Sequence, residues 1–128
     1  ELTAIVVCPS NPFVSIDPIL SLPDCVGLLK EASAPVIAVS PIIAGRAVKG
    51  PAAKMMRELD MPATALAVAE YYGDLLDGYV LDESDVEYSD DIAAMGIKVC
   101  VAPTLMMDLP SKTALAERVL SFAASWDG

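Results

Sequence analysis

The chain of 128 residues is 55% hydrophobic, carries a net charge of −10 and contains no histidine. That length suits one buried core rather than two. The acidity argues against a broad nucleic-acid surface, which needs an excess of Lys and Arg, and the missing imidazole removes His-based triads, thiol–imidazole pairs and most zinc sites.

Four short apolar runs rich in β-branched residues punctuate the chain, and each reads as a strand: Thr3 to Cys8, Pro35 to Ser40, Asp77 to Asp82 and Ile97 to Ala102. Apolar residues on both faces suit a parallel sheet covered by helices. After the first run comes "CPSNPFVSIDPIL", a proline-stiffened loop, and then a helical segment, "DCVGLLKEA". The second run leads into "SPIIAGRAVKG" and two helical segments, "PAAKMMREL" and "TALAVAEYYGDLL", with "MPAT" (Met61 to Thr64) breaking the crossover between them. Pro51 is expected to open the first of these helices, because its missing amide would be unpaired there. The third run is followed by "DESD" and the helix "YSDDIAAM", which Gly96 should stop. After the fourth run and "APTLMMD", the chain closes with "SKTALAERVLSFAASW". The fold class expected is α/β: a Rossmann-like parallel sheet with helices on both faces, forming a single domain over residues 1–128.

The longest uncharged run, Ala32 to Gly45, is broken by Pro35 and Pro41 and falls short of the roughly 18 residues a membrane span requires. Glu1 precedes a short apolar run without a basic lead-in, so no signal peptide is expected. A start almost directly on a strand, without Met, is what a processed product or one piece of a longer protein would have. Cys8, Cys25 and Cys100 are odd in number and lack CxxC spacing, which predicts reduced thiols in a cytoplasmic protein, with Cys8 and Cys100 buried and inert in their strands.

Ligands of such sheets bind at the carboxyl ends of the strands, which directs attention to four loops. The second carries an anomaly: Val39 to Leu59 holds Arg46, Lys49, Lys54 and Arg57, four of the eight Lys and Arg residues of the chain. Gly45 and Gly50 permit backbone conformations closed to other residues, Arg46 and Lys49 lie between them, and Lys54 falls about one turn into the next helix. Glycines, cations and a helix N-terminus suit a phosphate, whereas a solvated loop that offsets the acidity elsewhere is the competing reading. Neither a Walker A nor a GxGxxG motif is present. In the first loop Ser10 and Asn11 serve equally well as ligand contacts or as turn residues between prolines. Asp82, Glu83 and Asp85 could bind a hard cation such as magnesium, although helix capping on a solvated acidic face is the preferred reading.

Together "CPSNPFVSIDPIL", "SPIIAGRAVKGPAAKMMREL" and "LLDGYVLDESD" resemble the carboxyl-terminal part of the 2-phospho-L-lactate transferase family, which acts in coenzyme F420 biosynthesis. The resemblance extends over nearly the whole chain and is most specific between Ser40 and Met56. It implies transfer of a phospholactyl or phosphoenolpyruvyl group from a guanosine diphosphate-linked donor to the deazaflavin Fo, releasing GMP with Mg2+. It further implies donor contacts from Ser10 and Asn11, a phosphate loop formed by Arg46, Lys49 and Gly50, and a supporting role for Lys54. Ala44 stands where the family has a second glycine, Arg46 where lysine is usual, and Pro103 where an aspartate is found. The family is longer than this chain, and its metal and Fo ligands belong to its amino-terminal part. The expectation is therefore a donor-side half-site that is inactive by itself, with a homodimer as its assembly and neither nucleic acid nor membrane as partner. A non-catalytic regulator resembling the gluconeogenesis-factor proteins, binding a nucleotide sugar through the same loops, is the alternative.

Overall fold

A computed structural model describes residues 3–47 and 52–125, and for Val14, Arg46 and Ala47 the backbone alone. Each of the four apolar runs contains a strand: β1 (Ile5–Val7), β2 (Val36–Val39), β5 (Gly78–Leu81) and β6 (Lys98–Val101). They pair in parallel in the order β1-β2-β5-β6, with Ile5 opposite Val36, Ile37 opposite Gly78, and Gly78 opposite Lys98. A second, two-stranded antiparallel sheet pairs β3 (Ile42–Ile43) with β4 (Arg46–Ala47).

Each successive parallel strand is added on the same side, so right-handed crossovers send their helices to one face. Those helices are α2 (Cys25–Glu31), α3 (Ala52–Glu58), α4 (Ala65–Tyr72) and α5 (Ser89–Ala94); a short α1 (Asp17–Leu20) precedes them. The last helix, α6 (Leu109–Ala124), returns across the opposite face. The two-residue period of a strand divides the core accordingly. Val36, Ala38, Tyr79 and Leu81 pack with Met56, Val68 and Ile92, whereas Ile37, Val39, Val80 and Cys100 pack with Leu115 and Val119 of α6. The expected arrangement of helices on both faces is thus present.

Local signals set the helix boundaries. Thr64 accepts a hydrogen bond from the Ala67 N–H at 3.1 Å, and its cap separates α3 from α4 where the "MPAT" break was expected. Gly96, at φ +86°, follows α5. Asp108 and Ser111 form a reciprocal capping box that starts α6 two residues before the periodic segment, and Pro110 is accommodated in its first turn. Pro51 lies outside the described residues. Among the described residues no helix is long and apolar enough to cross a membrane.

One burial expectation is corrected. Cys100 is buried, but Cys8 is exposed, because β1 lies at the sheet edge and the α6 cluster contains no β1 residue. Val6 shares this position and is 41% exposed. None of the three cysteines is in a disulfide. In the 128-residue chain a thiol reagent is expected to modify Cys8 rapidly and Cys100 only when the structure opens; equal labelling rates under native conditions would contradict this difference in burial.

Candidate functional site

All four loops at the carboxyl ends of the parallel strands are linked to a neighbour by hydrogen bonds. The first loop turns sharply, with the Ser10 N–H donating to the Cys8 carbonyl at 2.7 Å. Asn11 then closes an Asx turn, its Oδ1 accepting from the Phe13 N–H at 2.9 Å, and its Nδ2 reaches Sδ of Met55 on α3 at 3.3 Å. A single π-helical turn follows over Pro12–Ile16. Phe13 packs edge-on against Tyr71 of α4, with ring centroids 5.0 Å apart, and Tyr71 donates its hydroxyl proton to Asp17. Asn11 is therefore engaged both within its loop and with the helix behind the second loop.

The second loop is a β-hairpin that sequence reading did not anticipate. Its two turn residues, Ala44 and Gly45, have φ of +50° and +81°, the left-handed pair of a type I′ turn. Gly45 adopts this conformation freely; Ala44 carries a Cβ that disfavours it. Side-chain hydrogen bonds hold the hairpin at its base and at its tip. At the base, the fully buried Ser40 donates its hydroxyl to the Ile42 carbonyl at 3.1 Å and accepts from the Ile42 N–H at 3.2 Å. At the tip, the Ala44 N–H donates to Oδ2 of Asp85 at 3.1 Å, and Nη2 of Arg57 donates to the Gly45 carbonyl at 3.1 Å.

Asp82 links the remaining loops. One carboxylate oxygen accepts from the Ser84 N–H and hydroxyl at 3.0 and 2.6 Å; the other accepts from the Thr104 N–H and hydroxyl at 2.9 and 3.1 Å. Desolvation pushes the Asp82 carboxyl up, but the four bonds from Ser84 and Thr104 outweigh it and hold the group below its ordinary value. Asp85, three residues on, goes the other way. Desolvation raises it against the opposing bond from Ala44, and the negative charges of Asp82 and Glu87 add to the rise.

The basic cluster divides on inspection. Arg57 is occupied at the hairpin tip. Lys54 lies on the exposed side of α3, 3.9 Å from Glu58 one turn along, an exposed pair that constrains it little. Arg46 sits in β4 directly after the turn, and Lys49 and Gly50 lie outside the described residues.

In the acidic loop Asp82 and Asp85 serve as hydrogen-bond acceptors within the fold. Both oxygens of Asp82 are taken by N–H and O–H donors, and among the described residues no group of three or more Cys, Asp or Glu is arranged to hold a metal ion. Capping is what Asp82 does, as N-cap of the 3-10 turn Glu83–Tyr88. Sequence reasoning missed Ser40, Arg57, Asp85 and Thr104 as determinants of loop geometry. Ser40 carried a local signal, a hydroxyl just before a proline at a strand end, whereas Asp85 and Thr104 meet partners 41 and 22 residues away.

Comparison with known proteins converges on one family. The family described as 2-phospho-L-lactate transferase CofD matches residues 1–105, a span that takes in the first three loops whole and the fourth as far as Leu105. A 2-phospho-L-lactate transferase of Methanosarcina barkeri is 41% identical over 116 residues, 91% of this chain and 37% of the relative. One from Methanococcus maripaludis is 40% identical over 125 residues, 98% of this chain and 39% of the relative. A phosphoenolpyruvate transferase of Streptomyces griseus is 38% identical over 120 residues, 93% and 38% of the respective chains. The chain thus spans 37–39% of the length of these curated relatives. With the family match running over most of its residues and through its loop cluster, this chain belongs to the 2-phospho-L-lactate transferase family.

Proposed function

We propose that this chain supplies the donor-side half-site of an enzyme that transfers a phospholactyl or phosphoenolpyruvyl group from a guanosine diphosphate-linked donor to the deazaflavin Fo in coenzyme F420 biosynthesis. The observation that carries the reading is the family match over residues 1–105, which contains the basic hairpin loop and the first loop in one span. Relatives named for phospholactate and for phosphoenolpyruvate both align with it, so the proposal keeps both donors.

In the proposed reaction a ribityl hydroxyl of Fo attacks the phosphorus bearing the lactyl or enolpyruvyl group. The new P–O bond forms as the bond to the bridging oxygen breaks, GMP leaves with that electron pair, and the hydroxyl proton passes to solvent or to a base elsewhere in the protein. Such a transfer depends on positioning and charge neutralisation more than on covalent chemistry. Arg46, Lys49 and the Gly50 backbone would neutralise and orient the diphosphate, Ser10 and Asn11 would contact the donor, and Lys54 would contribute at longer range. Mg2+ would take its ligands from the amino-terminal part of the family, outside this chain. A cytoplasmic location and assembly as a homodimer complete the proposal.

The test is calorimetric titration of GDP into the full-length protein at fixed magnesium and moderate salt, which screens long-range attraction. Loss of one charge-assisted bond makes Lys49→Ala about tenfold weaker than wild type, whereas Lys112→Ala, the same charge change on α6, leaves affinity unaltered. Equal affinities for the two variants would mean that the basic loop only offsets the acidity of the chain. A nucleotide sugar that binds more tightly than GDP would instead favour the regulator reading.

A further inference from the structure

Strands of a parallel sheet are covered on both faces, and β2 and β5 are buried at every position. In β1 the two-residue alternation gives a different result. Ile5 and Val7 pack against the larger core cluster, whereas Val6 turns to the α6 side and is 41% exposed, with Cys8 exposed two residues on. Between these residues and α6 runs a groove of about 270 Å3, lined by Val6, Cys8, Val39, Leu115 and Leu120, with Lys112 the one charge among its lining residues. Leu120, on the α6 wall, is 61% exposed.

The backbone is open along the same edge. Among the described residues β1 pairs with β2 alone, and the Ile5 N–H donates to the Pro35 carbonyl, just ahead of β2, at 2.9 Å. The N–H of Val6, one residue on, therefore points away from β2. Sheets protect terminal edges with charged residues or proline, and Ile5–Val7 has neither. The opposite edge differs on both counts: β6 begins with the exposed Lys98, and Cys100 is buried in the α6 cluster.

The chain spans 37–39% of the length of its curated relatives, so most of such a polypeptide lies outside these 128 residues. Because β1 is the first strand, polypeptide that precedes it is delivered to this edge. Strands added there lead away from β2, and right-handed crossovers running in that direction set their helices on the α6 face of the sheet. We propose that the free edge of β1 and the β1–α6 groove form an internal interface of the full-length protein, taken up by the polypeptide that precedes β1: a strand pairs with the Val6 backbone, and a helix fills the groove with apolar side chains.

The test compares the 128-residue chain with the full-length protein. Cys8 is expected to react with a thiol reagent about a hundredfold more slowly in the full-length protein, because labelling must wait for the interface to open, and to do so equally at low and high protein concentration. Leu120→Glu keeps a good helix former in α6. It should lower the melting temperature of the full-length protein by about 5 °C, by placing a charge in the apolar interface, and that of the 128-residue chain by less than about 2 °C. Equal Cys8 rates in the two proteins, or a Leu120→Glu shift no larger in the full-length protein, would overturn the proposal. So would protection that disappears on dilution or that the 128-residue chain already shows, since a second copy would then be the occupant. Hydrogen exchange in the full-length protein decides the matter even if the 128-residue chain does not fold: a Val6 amide protected like those of β2 supports the added strand, and exchange at the rate of an open edge overturns it.

Discussion

Asp82→Ala is expected to lower the unfolding free energy by about 3 kcal/mol, because it leaves two polar groups of one buried residue without partners. Thr104 is almost wholly buried, and its N–H and hydroxyl both donate to the same oxygen of Asp82. Without that acceptor neither can turn to water unless the loop after β6 leaves the sheet. The other oxygen holds Ser84, so the cap of the 3-10 turn goes with it. Urea unfolding with unchanged m-value is the measurement; a loss below about 1 kcal/mol would mean that the two loops are held by other contacts.

The pH dependence of the same site has a sign that can be checked. The folded Asp82 carboxyl lies below its unfolded value of 3.8, so its contribution is complete above that value and is lost as the pH falls through the folded one. Asp85 is raised in the folded state, and its effect is the reverse: the stability it contributes is present below 3.8 and is lost as the pH rises through its folded value. Relative to wild type, Asp82→Asn should therefore recover as the solution is acidified, while Asp85→Asn should gain as the pH rises. Parallel profiles for the two variants would contradict the assigned environments.

Met56→Ala is expected to cost about 2 to 5 kcal/mol, a drop in melting temperature of roughly 10 °C. Met56 has no exposed surface and belongs to the larger core cluster with Val36, Ala38 and Tyr79 of the sheet. It seats α3, and the neighbouring Met55 takes the Asn11 contact, so a shift of α3 into the cavity would also release the first loop. Thermal unfolding checks the size of the effect. Retention of the wild-type melting temperature would mean that the site collapses without loss.

The strand runs were legible because they satisfy a local rule. Val36 to Val39 and Gly78 to Leu81 are apolar at every position and are buried at every position, as a strand covered on both sides must be. The Gly96 stop was legible for the same reason, since it acts at the end of α5 itself, whereas the caps Thr64 and Asp108 went unread although they act on amides only three residues away. The family resemblance lay in contiguous loop motifs, and the match over residues 1–105 bears it out.

Edge position was not legible. Cys8 and the residues before it read like the other strands, but their burial depends on what lies beside β1, which the apolar pattern does not encode. The hairpin was hidden for a related reason: β3 and β4 have two residues each, too few for any period, and Ala44 stands where a turn of this type favours Asn, Asp or Gly. The roles of the acidic loop were least accessible. Asp82 and Asp85 follow the same strand in the same loop, yet one is held low by four hydrogen bonds and the other is raised by burial and like charge.

The sequence by itself determined where the four strands of the main sheet and the longer helices would lie, that those four strands would be parallel, and that cations would gather after the second of them, because periodicity and composition act over a few residues. Only the tertiary structure decided which side chains hold the loops in place. Asp85 meets Ala44 across 41 residues and Asp82 meets Thr104 across 22, and such pairings arise only when parallel crossovers bring successive strand ends side by side. Hydrogen-bond partners and desolvation are properties of that assembled edge, and no local stretch of the chain carries them.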